Sequence, residues 1–250
     1  MPLVDQFSIQ LYSVRDVMEK DYTGTLKKLA AMGYTGVEFA GYGGLGAQEM
    51  KDVLESNKLK PVGSHIGLEG LTKHLDEEIA YHKVLGTEYL ICPYSTIKTK
   101  DDTLELAKTL SPVAAKINDA GFKFAYHNHA HEFAESGDIH GGEYLLDILF
   151  ENLPPQTVME LDVFWAAHAG VEPLAYMEKH KDRLKLLHVK QIDKDKHCVD
   201  LDQGILNFKE IITRAKSQGV RHFILEQETF AVSSMVSVKN DIDYIMSLEG

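Results

Sequence analysis

Apolar positions along the chain recur with two different periods. Short strand-type runs are FSIQLYSV (7–14), TGVEFA (35–40), KPVGSHI (60–66), TEYLICPY (87–94), FKFAYHNH (122–129), TVMELDVF (157–164), LKLLHVKQ (184–191) and RHFILEQE (221–228). Between them lie longer stretches whose apolar residues return every three or four positions, the period of a helix packed on one face. These predict helices over 23–33 (Thr23 as N-cap, Gly33 as stop), 47–57, 71–86, about 101–120 and the closing 237–250. Strand followed by helix, repeated about eight times in 250 residues, is the rhythm of a (β/α)8 TIM barrel. A doubly wound open sheet shares that local rhythm. The strand number and the lack of a glycine-rich dinucleotide fingerprint after the first strand favour the barrel. No linker or low-complexity tract interrupts the pattern, so residues 1–250 read as a single domain.

Strand alternation then sorts the polar residues. In the fifth run Phe122, Phe124 and Tyr126 share one face, and Ala125, His127 and His129 share the other. Large apolar residues suit the helix-covered face, so the histidines point into the barrel, near its C-terminal mouth. Barrel enzymes place their chemistry there. Other runs deliver polar residues to the same rim: Glu38, His65, Glu160 with Asp162, His188 with Lys190, and Glu226 with Glu228. Imidazole and carboxylate together are the ligand mixture of Mn, Mg, Co or Zn.

The charge bears on partners. A net charge of −12 repels phosphate backbones, so no nucleic-acid partner is expected. Cys92 and Cys198 lack metal-type spacing and fit a reducing compartment or indifference to redox. No run approaches a membrane span and no signal-peptide pattern opens the chain, so a cytoplasmic protein is expected. A homo-oligomer is compatible with the sequence.

IQLYSVRD, GYTGVEF, FAYHNHAHEF, MELDVFWAAHAG, LLHVKQID and FILEQE together resemble the xylose isomerase-like TIM barrel superfamily, in particular its sugar phosphate isomerase/epimerase-like proteins. The resemblance spans essentially the whole chain. It implies one divalent metal ion held by Asp162, His188, Glu226 and the strand-five residue, here His127. Ketose epimerases of the superfamily carry Glu at that last position and use two metal-bound glutamates to move the proton, so His127 is a departure. Related lyases acting on oxidised sugars carry an acid–Asn–His run. Asn128 matches it, and His129 falls at the base position.

The resemblance thus implies a metal-dependent sugar or sugar phosphate isomerase/epimerase working through α-proton abstraction and an enediolate, with His129 or Glu226 as base. A lyase or dehydratase acting on a keto-sugar, keto-glycoside or inosose is the alternative. A non-catalytic sugar-binding barrel and an AP-endonuclease-like nuclease stand further back. The nuclease branch places His three residues after the strand-six Asp, where this chain has Trp165.

Glu38, His65, Trp165, His168 and Lys190 are the expected contacts to a small carbohydrate substrate, with Gln10 and Arg15 lining the first loop. Each of these also has a plain packing role open to it. His129 is expected to have a near-neutral pKa. His131 is expected to leave the strand for solvent, Glu132 is a candidate to re-enter from the loop, and the 73–83 stretch reads as a solvated helix face.

Overall fold

The computed structural model describes residues 6–134 and 143–248. Strands β1 (Phe7–Gln10), β2 (Gly36–Phe39), β3 (Lys60–His65), β4 (Tyr89–Cys92), β5 (Lys123–His127), β6 (Val158–Asp162) and β7 (Leu184–Val189) run parallel in chain order. A short antiparallel ribbon follows, β8 (Gln191–Ile192) with β9 (Cys198–Val199). Strand β10 (His222–Leu225) then pairs with both β7 and β1 and closes an eight-stranded barrel. Among the described residues no helix is long and apolar enough to cross a membrane.

Two apolar layers follow from the alternation. Val62, Tyr89, Ile91, Ala125, Val158, Leu186 and Ile224 fill the barrel interior. Phe124 and Tyr126, on the other face of β5, pack into the larger shell beneath the helices. Polar residues take over towards the C-terminal end, and the register aligns them. Gln10 lies opposite Glu38, His127 opposite Glu160, and Asp162 opposite His188. Gly63 makes this possible beside β2, since a Cβ there would stand 2.8 Å from both Glu38 Oε2 and Ile91 Cδ1.

The helices mostly follow the sequence pattern, with three differences. The second-strand-connecting helix is Tyr22–Met32, capped by Asp21, whose carboxylate accepts the Gly24 N–H at 2.9 Å. Thr23 therefore lies inside the helix, not at its cap. Gly33 does end it, at a φ of 110° that a side chain would resist. The 71–86 stretch breaks at His74 into Leu68–Lys73 and Leu75–Leu85. His82 departs from the solvated-face reading: it is fully buried between the Tyr42 hydroxyl at 2.9 Å and the Thr87 hydroxyl at 2.8 Å. The closing helix spans Ser234–Ser247.

One buried carboxylate ties two outer helices together. Asp147, on Leu145–Asn152, accepts hydrogen bonds from Tyr176, Lys179 and His180 at 2.9, 2.7 and 2.7 Å. Burial alone would raise its pKa, but the His180, Lys179 and Tyr176 hydrogen bonds outweigh burial and hold it at about 2, below the ordinary 3.8. A depressed carboxylate stabilises the fold above its unfolded pKa, and that contribution is lost as pH falls through the folded value. Asp147→Asn is therefore expected to cost about 2 kcal/mol at pH 7. The deficit should shrink as pH drops from about 4 towards 2. Urea melts of both proteins at pH 7 and pH 3 check this; an equal deficit at both would refute it.

Candidate active site

The barrel mouth holds its polar residues at two levels that share His188. At the inner level Glu38 Oε1 takes three contacts: Gln10 Nε2 at 2.7 Å, His188 Nε2 at 2.9 Å and His65 Nε2 at 3.0 Å. His65 Nε2 also lies 2.8 Å from Glu160 Oε2. Gln10, Glu38, Glu160 and His188 are buried, so none of these contacts is shared with bulk water. Burial alone would raise the Glu38 carboxyl, but His65 and His188 outweigh it and hold it well below the usual carboxylate range. The same contacts lift His65 to about 9 against the opposing effect of its burial.

At the outer level His127, Asp162, His188 and Glu226 bring one ligand-type atom each to within 4.8 Å of one another. The backbone explains the placement of two of them. Asn128 receives the Asp162 N–H at 2.9 Å and so fastens the end of β5 to the end of β6. Asp162 Oδ1 caps the helix Val163–His168 through the Trp165 N–H at 3.0 Å, which leaves Oδ2 free to face the barrel axis. Asp162 Oδ2 and His127 Nε2 are buried without hydrogen-bond partners, 3.7 Å apart. His188 Nδ1 stands 3.1 Å from Glu226 Oε2. The inner level is cross-linked by its own hydrogen bonds, yet Glu38 Oε2 and Glu160 Oε1 stay unpartnered and Glu38, His65, Glu160 and His188 also bring ligand-type atoms within 4.8 Å of one another; the outer level leaves His127 Nε2 and Asp162 Oδ2 unpartnered.

A buried cation already sits against the outer level. Lys190 Nζ is 3.5 Å from Glu226 Oε2 and 3.8 Å from Asp162 Oδ2, and it bonds Glu228. It also lies 4.9 and 4.8 Å from the Phe164 and Trp165 ring centres. Burial opposes its charge, but Glu226, Asp162 and Glu228 win and raise its pKa. In return Lys190 holds Glu226 well below the usual carboxylate range and lowers Asp162, each against the effect of burial.

A cavity of about 360 Å³ opens above these groups. His65, His127, His129, Glu226 and Glu228 give it polar groups, and Tyr12, Tyr94 and Trp165 give it aromatic walls. Of the expected substrate contacts, His65 and Trp165 line the cavity, while Glu38 and Lys190 are buried around it. His168 does not line it. One turn further along the helix, it packs against Phe164 and Trp165 at 5.6 and 5.4 Å. His129 lies just beyond β5 and meets Tyr94 and Trp165 edge-on or tilted, at 5.2 and 5.4 Å. Burial, reinforced by His127, pushes its pKa down to about 3, in place of the near-neutral value expected.

The loop beyond β5 turns back on itself. His131 is half-buried, its Nε2 2.8 Å from the Ser95 carbonyl, and is not released to solvent. Glu132 is fully buried and accepts the His129 N–H at 2.8 Å and the Tyr126 hydroxyl at 3.0 Å, so it braces the loop and does not line the cavity. Arg15 lies over the Tyr12 ring at 4.2 Å. Tyr12 and Tyr94 are wall residues that the sequence reading missed. Each sits near the end of a strand-type run, which was the signal available for finding them.

A family model described as xylose isomerase-like TIM barrel matches residues 26–247. No curated protein sequence matches the chain significantly. Two solved structures of proteins described as sugar phosphate isomerase/epimerases from Parabacteroides distasonis are similar. One is 27% identical with a TM-score of 0.85, covering 95% of this chain and 96% of that one. The other is 23% identical with a TM-score of 0.83, covering 96% and 93%. A probable 3-DHS dehydratase from Bacillus anthracis shares the fold at 13% identity and a TM-score of 0.76, covering 96% of this chain and 98% of that one.

Proposed function

The chain belongs to the xylose isomerase-like TIM barrel family, and from that premise we propose that it is a divalent-metal-dependent sugar isomerase or epimerase that removes the proton α to a carbonyl. One observation carries this reading. His127 Nε2 and Asp162 Oδ2 are buried and unpartnered, and they converge with His188 and Glu226 at the mouth of the barrel. Unpaired buried polar atoms are costly, and a cation between these four would satisfy them. The donor set suits Mn, Mg, Co or Zn. When bound, such an ion supplies Lewis acidity to a carbonyl and a neighbouring hydroxyl oxygen and offsets the charge left when the α-proton departs.

The chain's own residues do the rest. Glu38 anchors His188 through Nε2 and so turns Nδ1 towards the outer level, as carboxylates commonly orient ligand imidazoles. Glu38→Gln is expected to weaken metal binding roughly 10–100-fold while leaving the fold intact. A competition titration against a chelator checks this; unchanged affinity would remove Glu38 from the role. His129 lines the cavity as one candidate to receive the proton, its basicity reduced by burial, and Glu226 is the competing base. Trp165 and Tyr94 wall the site against bulk water.

A second reading, β-elimination as in a lyase, is favoured by the unlike sides of the cavity. Glu226 and Glu228 approach from β10, whereas β5 contributes His127 and His129. Two matched carboxylates acting on opposite faces of one carbon are not what this pair of strands provides. Dissimilar groups suit proton removal at one carbon and assistance to a leaving group at the next.

The test is incubation of metal-loaded and chelator-treated protein in D₂O with ketoses, keto-glycosides, inososes and their phosphates, with C–H exchange followed by NMR. Metal-dependent exchange is expected. Its absence across the panel would overturn the enolisation reading. Full exchange by His129→Ala would remove His129 as the base, and loss of exchange in Glu226→Gln with metal content retained would assign it to Glu226.

A further inference from the structure

A sugar phosphate brings a dianion that a site must meet with cations or with a cradle of backbone N–H groups. Among the described residues, none that lines the cavity is a lysine or arginine. Residues 1–5, 135–142 and 249–250, which lie outside the described residues, contain no lysine or arginine either. Among the described residues a lysine and an arginine touch the cavity wall, and both are engaged, as is the lining His65, held between Glu38 and Glu160. Lys190 is fully buried, held by Glu228 and by Glu226 at 3.5 Å. Arg15 lies on the Tyr12 ring and donates to the carbonyl oxygens of Tyr12 at 2.8 Å and Glu228 at 3.3 Å.

Barrel enzymes commonly seat a phosphate in the loops after the last two barrel strands. Here those loops are otherwise used. The chain after β7 turns into the β8–β9 ribbon, where Gln191 is spent on the Leu201 and Leu206 carbonyls at 2.9 and 3.2 Å. The chain after β10 presents Glu226 and Glu228 to the cavity. The helix that follows is capped from within, Ser233 accepting the Val236 N–H. A phosphate in that place would face two carboxylates.

The wall suits a different ligand. Tyr12 and Tyr94 are 45% and 49% exposed, and Trp165 is half-buried beside them, so three aromatic rings offer faces for the apolar C–H side of a sugar ring. Glu226 and Glu228 present carboxylate oxygens, which are acceptors. A polyol hydroxyl donates to such groups, and a phosphate dianion has no proton to give.

We infer that the site takes an uncharged keto-polyol ring (a keto sugar, a keto-glycoside or a cyclitol ketone) and selects against the corresponding phosphate esters. This rests on the sugar-enzyme reading above and narrows it.

Trp165 is the only tryptophan of the chain, so its fluorescence reports the cavity directly. Metal-loaded protein is titrated with an inosose, with fructose and tagatose, with their 6-phosphates, and with inorganic phosphate. At least one neutral ring is expected to give a saturable change. Each phosphate ester is expected to bind at least about tenfold more weakly than its neutral partner, from like-charge repulsion. Inorganic phosphate is expected not to displace the neutral ligand. A phosphate ester that binds more tightly than its partner, displacement by inorganic phosphate, or no saturable change with any neutral ring would each overturn the inference. The exchange experiment separates the two claims. Neutral binding without exchange keeps this inference and removes the enzymatic reading, and exchange confined to sugar phosphates does the reverse.

Discussion

Asp162→Asn is expected to lose stoichiometric metal and, with it, metal-dependent exchange, while folding normally. Asparagine keeps the parts of Asp162 that serve the fold. An amide oxygen in the Oδ1 position still accepts the Trp165 N–H, now 3.0 Å away, and the Asn128 bond to the backbone of residue 162 does not involve the side chain. Only Oδ2 changes, from an unpartnered carboxylate oxygen to an N–H donor aimed at His127 Nε2. A donor cannot ligate a cation, so metal affinity should fall by more than the roughly 10–100-fold that loss of an outer partner costs. The apo protein should melt within about 1 kcal/mol of the parent, since a buried charge is removed along with its 3.8 Å attraction to Lys190. Metal content by elemental analysis and the D₂O exchange rate are the two measurements. A variant that retains one tightly held ion per chain would sink the ligand assignment.

The barrel was legible because strand alternation and helical period disagree so plainly along this chain. Ala125 went inward and Tyr126 outward, as the pattern on the fifth run demanded. The convergence of the candidate residues was legible for the same reason, and even past the strand ends: Glu226 N still bonds the Val189 carbonyl at 3.3 Å, so alternation outlasts β10 by a residue. Sequence could not foresee the division into two levels. It depends on which atoms of His188 face which carboxylates, and on Gly63 leaving room for Glu38. His168 was expected at the cavity because it follows the strand-six acid, but in the helix Val163–His168 three further residues move a side chain about 4.5 Å along the axis. His129 was given an ordinary pKa because burial, the larger cause of its depression, has no local signature.

Lys190→Met is expected to destabilise the metal-free protein and to tighten its grip on metal. Three carboxylates share this ammonium, and two of them, Asp162 and Glu226, belong to the outer level. Methionine keeps most of the length and is an apolar neighbour for the Phe164 and Trp165 rings that the ammonium now faces, so the change is mainly one of charge. Removing one partner from a buried ionic group typically costs about 3–5 kcal/mol, because the remaining charges lose their compensation. A divalent ion at the outer level restores it. In the parent that ion must enter beside an ammonium a few ångströms from two of its ligands, a repulsion of about 4 kcal/mol at an effective dielectric near 20. Without the ammonium, affinity should rise by at least about tenfold, and the stabilisation by saturating metal should rise in step. Linkage requires both numbers to report one coupling free energy between lysine charge and metal. Melts with and without metal, together with chelator competition, measure both sides. Weaker metal binding in Lys190→Met would show instead that the lysine helps assemble the outer level.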